Sequence, residues 1–206
     1  MIILAIDTSL GPCSVALMRT GTVIAELATT EPGQQSRALV PMIESLLTQA
    51  GLHYNDCDAV ACTIGPGGFT GIRTGLATAR TIAMATEKPL IGLSTLEVIA
   101  FTSGIKGDVL AVIDAYRDEW YVQRFRMHEG LQPLSDPLLA DEKGVKALGH
   151  AAKTVQTPVL ARDVAALAFS KWSAGEREFP KTPLYIREPD AKLPANEGLK
   201  CEDSLL

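Results

Sequence analysis

The sequence has little of the positive charge that a nucleic-acid-binding protein needs. Its 206 residues carry 19 Lys and Arg against 24 Asp and Glu, a formal net charge of −5. The sequence pI is about 5.2. An acidic chain lacks the basic surface expected of a protein that holds nucleic acid unaided. If RNA is involved, we expect a partner protein to hold most of it.

Long apolar runs are also missing. No stretch approaches the roughly 20 apolar residues that a membrane-spanning helix needs. The opening apolar run, 2–6, is too short for a signal peptide, has no basic segment before it and ends at Asp7. The four cysteines lack Cys-x-x-Cys spacing, and their number does not indicate a disulfide scaffold. We therefore expect a soluble, cytoplasmic protein with buried or free thiols.

Residues for metal binding or nucleophilic catalysis are sparse. His53, His128 and His150 are far apart, and no pair has the i, i+4 spacing that places two ligands on one helix face. Cys13 and Ser14 have no histidine nearby in the sequence to act as a base. The sequence therefore predicts neither a metal site nor a catalytic triad.

The first half of the chain alternates strand and helix patterns. A Gly-containing connection at 20–21 joins two β-rich runs, which is typical of a hairpin. Three antiparallel strands followed by α-helical crossovers to parallel strands are the order of a ribonuclease-H-like lobe, predicted over 1–103. The predicted strands are 2–6, 13–19, 22–28, 58–63 and 90–93, and the predicted helices are 36–50, 70–86 and one that begins after Ser94 with a capping box to Glu97.

The second half begins in a similar way and then loses its pattern. Residues 109–113 form a predicted strand that ends at Asp114, and 119–125 form its hairpin partner. Residues 127–180 are weakly patterned apart from a helix predicted over 164–172, and the tail beyond Pro189 is predicted to be loose. We predict a smaller second lobe over 104–206.

A glycine-rich turn, 65–71, lies between a predicted strand and a predicted helix. Backbone amides at such a place can bind an anion. The turn lacks the Lys-Ser/Thr of a P-loop and the spacing of a dinucleotide fingerprint. A tight structural turn is therefore favoured over a phosphate site.

The helix predicted over 70–86 has almost no polar surface. Its charged residues are Arg73 and Arg80, and Gly71, Gly75, Ala79 and Ala83 fall on one stripe. Glycine inside a helix costs about 1 kcal/mol relative to alanine, so a compensating close contact is expected. We favour a helix of a partner protein, rather than the chain's own helix at 36–50, as the neighbour of this stripe. On that hypothesis, Gly75→Leu weakens association and leaves the fold intact.

Two aspartates end predicted strands, and two hypotheses follow. In actin-like ATPases, acidic residues at such positions work with metal and phosphate. Asp7, Thr8 and Ser9 keep part of that chemistry, as does Asp114, but Ser9 stands where a glycine normally lets the backbone approach phosphate. A degenerate phosphate-type loop is favoured. The alternative is a small actin-like ATPase or kinase that acts through Asp7 and Asp114.

Several segments together resemble the TsaB (YeaZ) family, the degenerate actin-like members of the bacterial system that makes threonylcarbamoyladenosine in tRNA. The segments that carry the resemblance are 3–9, 13–17, 65–73 with Gly75 and Ala79, 88–96, 113–119 and 183–189. The resemblance implies an α/β, actin-like (ribonuclease-H-like) fold with two lobes, of which the second is reduced. It also implies a non-catalytic subunit that dimerises with TsaD.

By the same resemblance, TsaD transfers threonylcarbamoyl to N6 of adenosine 37 in tRNAs reading ANN codons, and TsaE is an ATPase that binds the pair. The metal-binding His-x-x-x-His of TsaD falls on Thr95 and Ile99 in this chain. No cofactor is therefore expected here, and metal and ATP are expected on the partner subunits. The tRNA is expected to meet this chain indirectly, and a homodimer through the same helices is an alternative assembly.

The resemblance places the dimer contact on the first two helices. A peptidase, a role historically attached to the superfamily, would need a metal site or a nucleophile–base pair that the sequence lacks. We therefore predict no catalytic and no metal-binding residue. The predicted partner-binding residues are Arg37, Val40, Glu44, Leu47, Gly71, Arg73, Gly75, Ala79 and Arg80.

Overall fold

The computed structural model describes residues 1–29, 35–149, 153–155 and 158–187, and of 153–155 only the backbone. These residues form two five-stranded sheets and five α-helices. The first half contains β1 (Ile2–Asp7), β2 (Ser14–Arg19), β3 (Thr22–Ala28), α1 (Gln35–Gln49), β4 (Ala59–Gly65), α2 (Phe69–Thr86), β5 (Leu90–Ser94) and α3 (Thr95–Thr102). The second half contains β6 (Gly107–Asp114), β7 (Glu119–Met127), β8 (Leu131–Pro133), β9 (Leu138–Asp141), α4 (Glu142–Gly149), β10 (Lys153–Val155) and α5 (Ala161–Ser173).

The first sheet has the predicted topology. Its strand order is β3-β2-β1-β4-β5, with β1 antiparallel to β2 and parallel to β4. Helices α1 and α2 cover one face of this sheet, where Leu4 and Ile6 of β1 meet Leu39 and Ile43 of α1 in one buried cluster. The α/β fold class is confirmed, and so is the predicted order of elements over 1–103.

The predicted capping box at the start of α3 is half formed. The Ser94 backbone N–H donates to Glu97 Oε2 at 3.1 Å. The Ser94 hydroxyl is buried, and within the described residues it has no hydrogen-bond partner. The Glu97 carboxylate also forms an ion pair with Lys171 of α5, with Nζ and Oε1 3.1 Å apart. The Glu97 side chain therefore caps α3 and ties it to α5.

The second sheet holds more structure than the sequence pattern predicts. Strands β10, β6, β7 and β8 follow one another across it, and β9 also pairs with β7. The weakly patterned stretch 127–180 contains β8, β9, α4 and β10, besides α5, which matches the helix predicted over 164–172. Strands of three or four residues span less than two full periods of alternation, so their pattern carries little signal. The predicted tail beyond Pro189 lies outside the described residues.

The end of the described chain returns to the first sheet. Val164 and Ala168 of α5 join a buried cluster with Ile3 and Ala5 of β1. The Ala161 N–H donates to the buried Ser14 hydroxyl at 2.9 Å. The boundary predicted at residues 103 and 104 falls between the two sheets, yet α5 packs on the first. The second half is therefore not packed as a separate unit.

In the part of the chain that the structure describes, no helix is both long enough and apolar enough to span a bilayer.

Candidate functional site

A cleft of about 860 Å³ opens where the two sheets meet. The loop after β1, the start of α2 and the end of β6 all line it. Thr8, Ser9, Gly67, Gly68 and Asp114 are among the lining residues. Of the residues predicted to form a degenerate phosphate-type loop, Thr8, Ser9 and Asp114 therefore line this cleft.

Asp7 does not take part in this cleft surface. Its side chain is 1% exposed, and Oδ1 accepts hydrogen bonds from the hydroxyls of Ser9 and Thr63, both at 2.7 Å. Oδ2 is buried and has no partner among the described residues. Burial raises the pKa of this carboxyl group, and the hydrogen bonds from Ser9 and Thr63 oppose that shift only in part. The carboxyl group is thus held inside the fold.

Asp114 is exposed at the cleft and stabilises a turn. Its Oδ1 accepts a hydrogen bond from the Tyr116 backbone N–H at 2.7 Å. Tyr116, Arg117 and Asp118 all have positive φ, at 59°, 62° and 58°. Non-glycine residues rarely adopt this conformation, and a short aspartate side chain can stabilise it locally. The structure therefore gives Asp114 and Asp7 separate local roles.

The glycine-rich turn packs against the loop that follows β1. The Gly68 N–H donates to the Ser9 carbonyl at 2.8 Å, and the Thr8 hydroxyl donates to the Gly71 carbonyl at 2.7 Å. A Cβ atom on Gly71 would lie 2.0 Å from the Thr8 carbonyl oxygen, and one on Gly75 would lie 2.3 Å from the Thr8 hydroxyl oxygen. These glycines let α2 lie directly on the loop.

The small-residue stripe of α2 lies against the chain itself and not at an exposed surface. Gly71, Gly75 and Ala79 are buried against the rest of their own chain, and the close neighbour of both glycines is Thr8, not a second helix. Leu47 of α1 is also buried in the chain's own core. None of these four residues is available for direct contact with a partner. Because Thr8 occupies the space beside Gly75, we expect Gly75→Leu to destabilise the chain's own fold, contrary to the expectation from the sequence.

The opposite face of α2 is exposed and continues past the predicted residues. Arg73, Ala77, Arg80 and Met84 recur at three- and four-residue spacing, which places them on one side of the helix. Met84 is 79% exposed. Met84 is not among the predicted contact residues, although the spacing from Arg73 through Arg80 leads to it.

The neighbouring helix α1 adds to this face. Its exposed residues include three predicted contact residues, Arg37, Val40 and Glu44, of which Val40 is 46% exposed. We call a set of seven exposed side chains on these two helices the α1/α2 face. It consists of Arg37, Val40, Glu44, Arg73, Ala77, Arg80 and Met84.

Arg73 is held in place by two aromatic rings. Its guanidinium carbon lies 3.8 Å from the ring centroid of Phe69, and its Nε donates to the Tyr185 hydroxyl at 2.9 Å. The rings of Phe69 and Tyr185 stack with centroids 5.7 Å apart. The segment that contains Tyr185 is fixed by a hydrogen bond from the Leu184 N–H to the Ile64 carbonyl at 2.8 Å.

The positions that match the TsaD histidines are part of the core. Thr95 and Ile99 are both fully buried. Over the described ranges, no group of three or more His, Cys, Asp and Glu side chains is arranged to hold a metal ion. Burial raises the pKa of the Cys13 and Cys57 thiols to about 11 and that of Cys62 to about 12. These three thiols are therefore protonated at neutral pH.

Comparison with known proteins decides the family. The chain is 32% identical over 209 residues to the tRNA threonylcarbamoyladenosine biosynthesis protein TsaB of Escherichia coli, and the match covers 97% of this chain and 84% of that protein. The chain belongs to the TsaB family. A second TsaB relative, from Bacillus subtilis, is 32% identical over 163 residues, with 73% of this chain and 71% of that protein covered.

Two further comparisons agree with the TsaB family. A family model described as "TsaD: tRNA N6-adenosine threonylcarbamoyltransferase" matches residues 22–142. The solved structure of YeaZ from Pseudomonas aeruginosa superposes with a TM-score of 0.74 at 26% identity and covers 90% of this chain and 99% of that one. The actin-like fold expected from the sequence is therefore that of a solved TsaB-type structure.

The buried Asp7 leads to a prediction on pH-dependent stability. Because its folded-state pKa is raised, its contribution to stability is full below the unfolded-state pKa and is lost as the pH rises through the folded-state pKa. Asp7→Asn keeps an acceptor for Ser9 and Thr63 and removes the charge. We expect the variant to be more stable than the wild type at pH 7, with the difference closing towards pH 4.

Urea denaturation across that pH range measures both curves. A wild type that gains stability over Asp7→Asn as the pH rises would show instead that the Asp7 carboxylate is ionised and stabilised in the fold.

Proposed function

We propose that this chain is a non-catalytic cytoplasmic subunit of the machinery that makes threonylcarbamoyladenosine in tRNA, and that it dimerises with a TsaD-like transferase. The transferase would modify N6 of adenosine 37 in tRNAs reading ANN codons. Membership of the TsaB family, whose named relatives are biosynthesis proteins of this nucleoside, supports the pathway. The exposed α1/α2 face is the observation that carries the role.

The α1/α2 face has the composition of a protein contact. Val40 and Met84 are large apolar side chains with 46% and 79% exposure, and burying apolar surface contributes about 25 cal/mol per Å². Arg73 and Arg80 supply the side-chain type that is enriched among interface residues with large energetic effects. Gly71, Gly75, Ala79 and Leu47 lie behind this surface and keep α1 and α2 in position.

The inter-sheet cleft supports a scaffold more than an ATPase. An actin-like ATPase acting through Asp7 and Asp114 would present both carboxylates to metal and phosphate. Here Asp7 is enclosed by Ser9 and Thr63, and Asp114 holds the Tyr116 turn. Metal and ATP are accordingly assigned to the TsaD-like and TsaE-like partners. A peptidase is not proposed, because Cys13 and Ser14 have no histidine nearby in the sequence to act as a base.

The proposed heterodimer would have two further partners, a TsaE-like ATPase and tRNA. A TsaE-like ATPase would bind the heterodimer, and tRNA would meet this chain through the complex, because the chain's net charge of −5 does not favour binding RNA alone. Without its partner, the chain would cover the α1/α2 face by pairing with a second copy of itself.

A reconstituted modification assay tests this proposal. Unmodified tRNA, threonylcarbamoyl-adenylate, the TsaD-like subunit and the TsaE-like ATPase are mixed with and without this chain. We expect modified adenosine only when the chain is present, and no ATP hydrolysis by the chain alone. Equal modification in its absence would overturn the proposal, as would ATP turnover by the isolated chain.

A further inference from the structure

A second cavity lies beside the cleft, between the first turns of α2 and the segment 183–187. Its volume is about 370 Å³. Cavities of roughly 300–1,000 Å³ are typical of small-molecule sites. Ile72 and Leu184 contribute aliphatic surface, and Phe69 and Tyr185 contribute aromatic rings. This lining favours a ligand with an apolar body.

The charge of the cavity favours a ligand with one negative charge. Among the described residues, the charged side chains that line it are Arg73 and Arg187. Arg187 is neutralised by an ion pair with Glu119 at 2.5 Å. Arg73 donates to the neutral Tyr185 hydroxyl, and no carboxylate in the described part of the chain pairs with it. Within the described residues, the positive charge of Arg73 is therefore left without compensation.

The Arg73 side chain is already ordered for binding. The Phe69 ring at 3.8 Å and the Tyr185 hydroxyl at 2.9 Å fix the guanidinium group, so little further side-chain entropy is lost when a ligand binds. The hydrogen bond to Tyr185 uses Nε, which leaves the two Nη groups as donors. Two such N–H donors match the two oxygens of a carboxylate.

The start of α2 adds to the preference for an anion. Helix α2 has 18 residues and no acidic side chain in its first turn. The N-terminal end of a helix carries a partial positive charge that is strongest over that first turn. Phe69 and Gly67, which line the cavity, lie at this end. The N-terminal end of α2 and the Arg73 guanidinium group therefore both favour an anionic ligand in this cavity.

We propose that this cavity binds a small organic monocarboxylate with an apolar body, and that Arg73 is its carboxylate-binding residue. The ligand site is additional to the proposed dimerisation, although Arg73 is also one of the residues of the α1/α2 face. Its test uses the isolated chain without any partner subunit. Dimerisation and ligand binding can therefore fail independently of each other.

The test compares two probes of similar shape, phenylacetate and its neutral amide, phenylacetamide. NMR titration of the isolated chain follows the Arg73 Nε–H and the backbone amides of Leu184 and Ile186. We expect saturable shifts at these groups with phenylacetate, and an affinity at least about tenfold above that for the amide, since only the carboxylate forms an ion pair with the guanidinium group through two acceptor oxygens.

Three variants separate a carboxylate site from general apolar binding. Arg73→Gln is expected to remove the preference for the acid, whereas Arg19→Gln, which removes the same charge from an exposed position outside the cavity, retains it. Tyr185→Phe keeps the ring, loses the hydrogen bond to Nε and is expected to weaken acid binding about threefold. Equal affinity for acid and amide, full acid affinity in Arg73→Gln, or no saturable shift with either probe would overturn the proposal.

Discussion

Gly71→Ala is expected to lower the free energy of unfolding by about 2–4 kcal/mol. In an exposed helix interior, the same change would stabilise by about 1 kcal/mol, because alanine is the better helix former. Here the added Cβ atom would lie 2.0 Å from the Thr8 carbonyl oxygen, which belongs to the backbone and cannot rotate away. The steric overlap therefore outweighs the gain in helix propensity.

Urea denaturation of the two proteins measures this difference. Gly130→Ala is the matched control, because no atom lies within 4 Å of the position of its added Cβ, and it is expected to change stability by less than about 0.5 kcal/mol. A Gly71→Ala protein as stable as the wild type would mean that α2 does not rest on the loop after β1.

The double substitution Val40→Asp, Met84→Asp is expected to weaken binding of the TsaD-like subunit by about 100-fold or more. Both side chains are exposed, so the isolated chain should fold as before. In a heterodimer, each new carboxylate would be buried opposite apolar surface and would lose its hydration without gaining a partner. Calorimetric titration of the TsaD-like subunit into each protein measures the affinity.

A matched control shows whether the loss of affinity depends on where the new carboxylate is placed on the surface. Leu134 is 39% exposed and lies at the second sheet, away from α1 and α2. Leu134→Asp introduces one of the two new carboxylates, at an exposure close to that of Val40, and is expected to leave the affinity within about twofold of the wild type. Equal losses in both proteins would show that the α1/α2 face is not the contact surface.

The fold could be predicted from sequence because its signals are local. Each early strand is a compact apolar run, and each early helix repeats its apolar residues at three- and four-residue spacing. The order of these elements allows few topologies, so the arrangement of β1 to β5 followed directly. Strands β8 and β9 gave no comparable signal because each has only three or four residues.

The site was harder to predict because it depends on contacts between distant parts of the chain. A stripe of small residues shows that something comes close, and nothing in the sequence of α2 distinguishes a second helix from the Thr8 loop. Tyr185 reaches Arg73 across a separation of 112 residues, so the cavity beside α2 was not predicted. The positions of Asp7 and Asp114 at strand ends were predicted correctly, but their hydrogen bonds were not.

The most direct measurement is the tRNA modification assay with one face variant and one cleft variant. Val40→Asp, Met84→Asp alters the α1/α2 face, and Asp114→Asn alters the cleft while keeping an acceptor for the Tyr116 N–H. If the chain acts by binding its partner, the cleft variant supports modification as the wild type does and the face variant does not. Loss of modification in Asp114→Asn, with full modification in the face variant, would contradict this account.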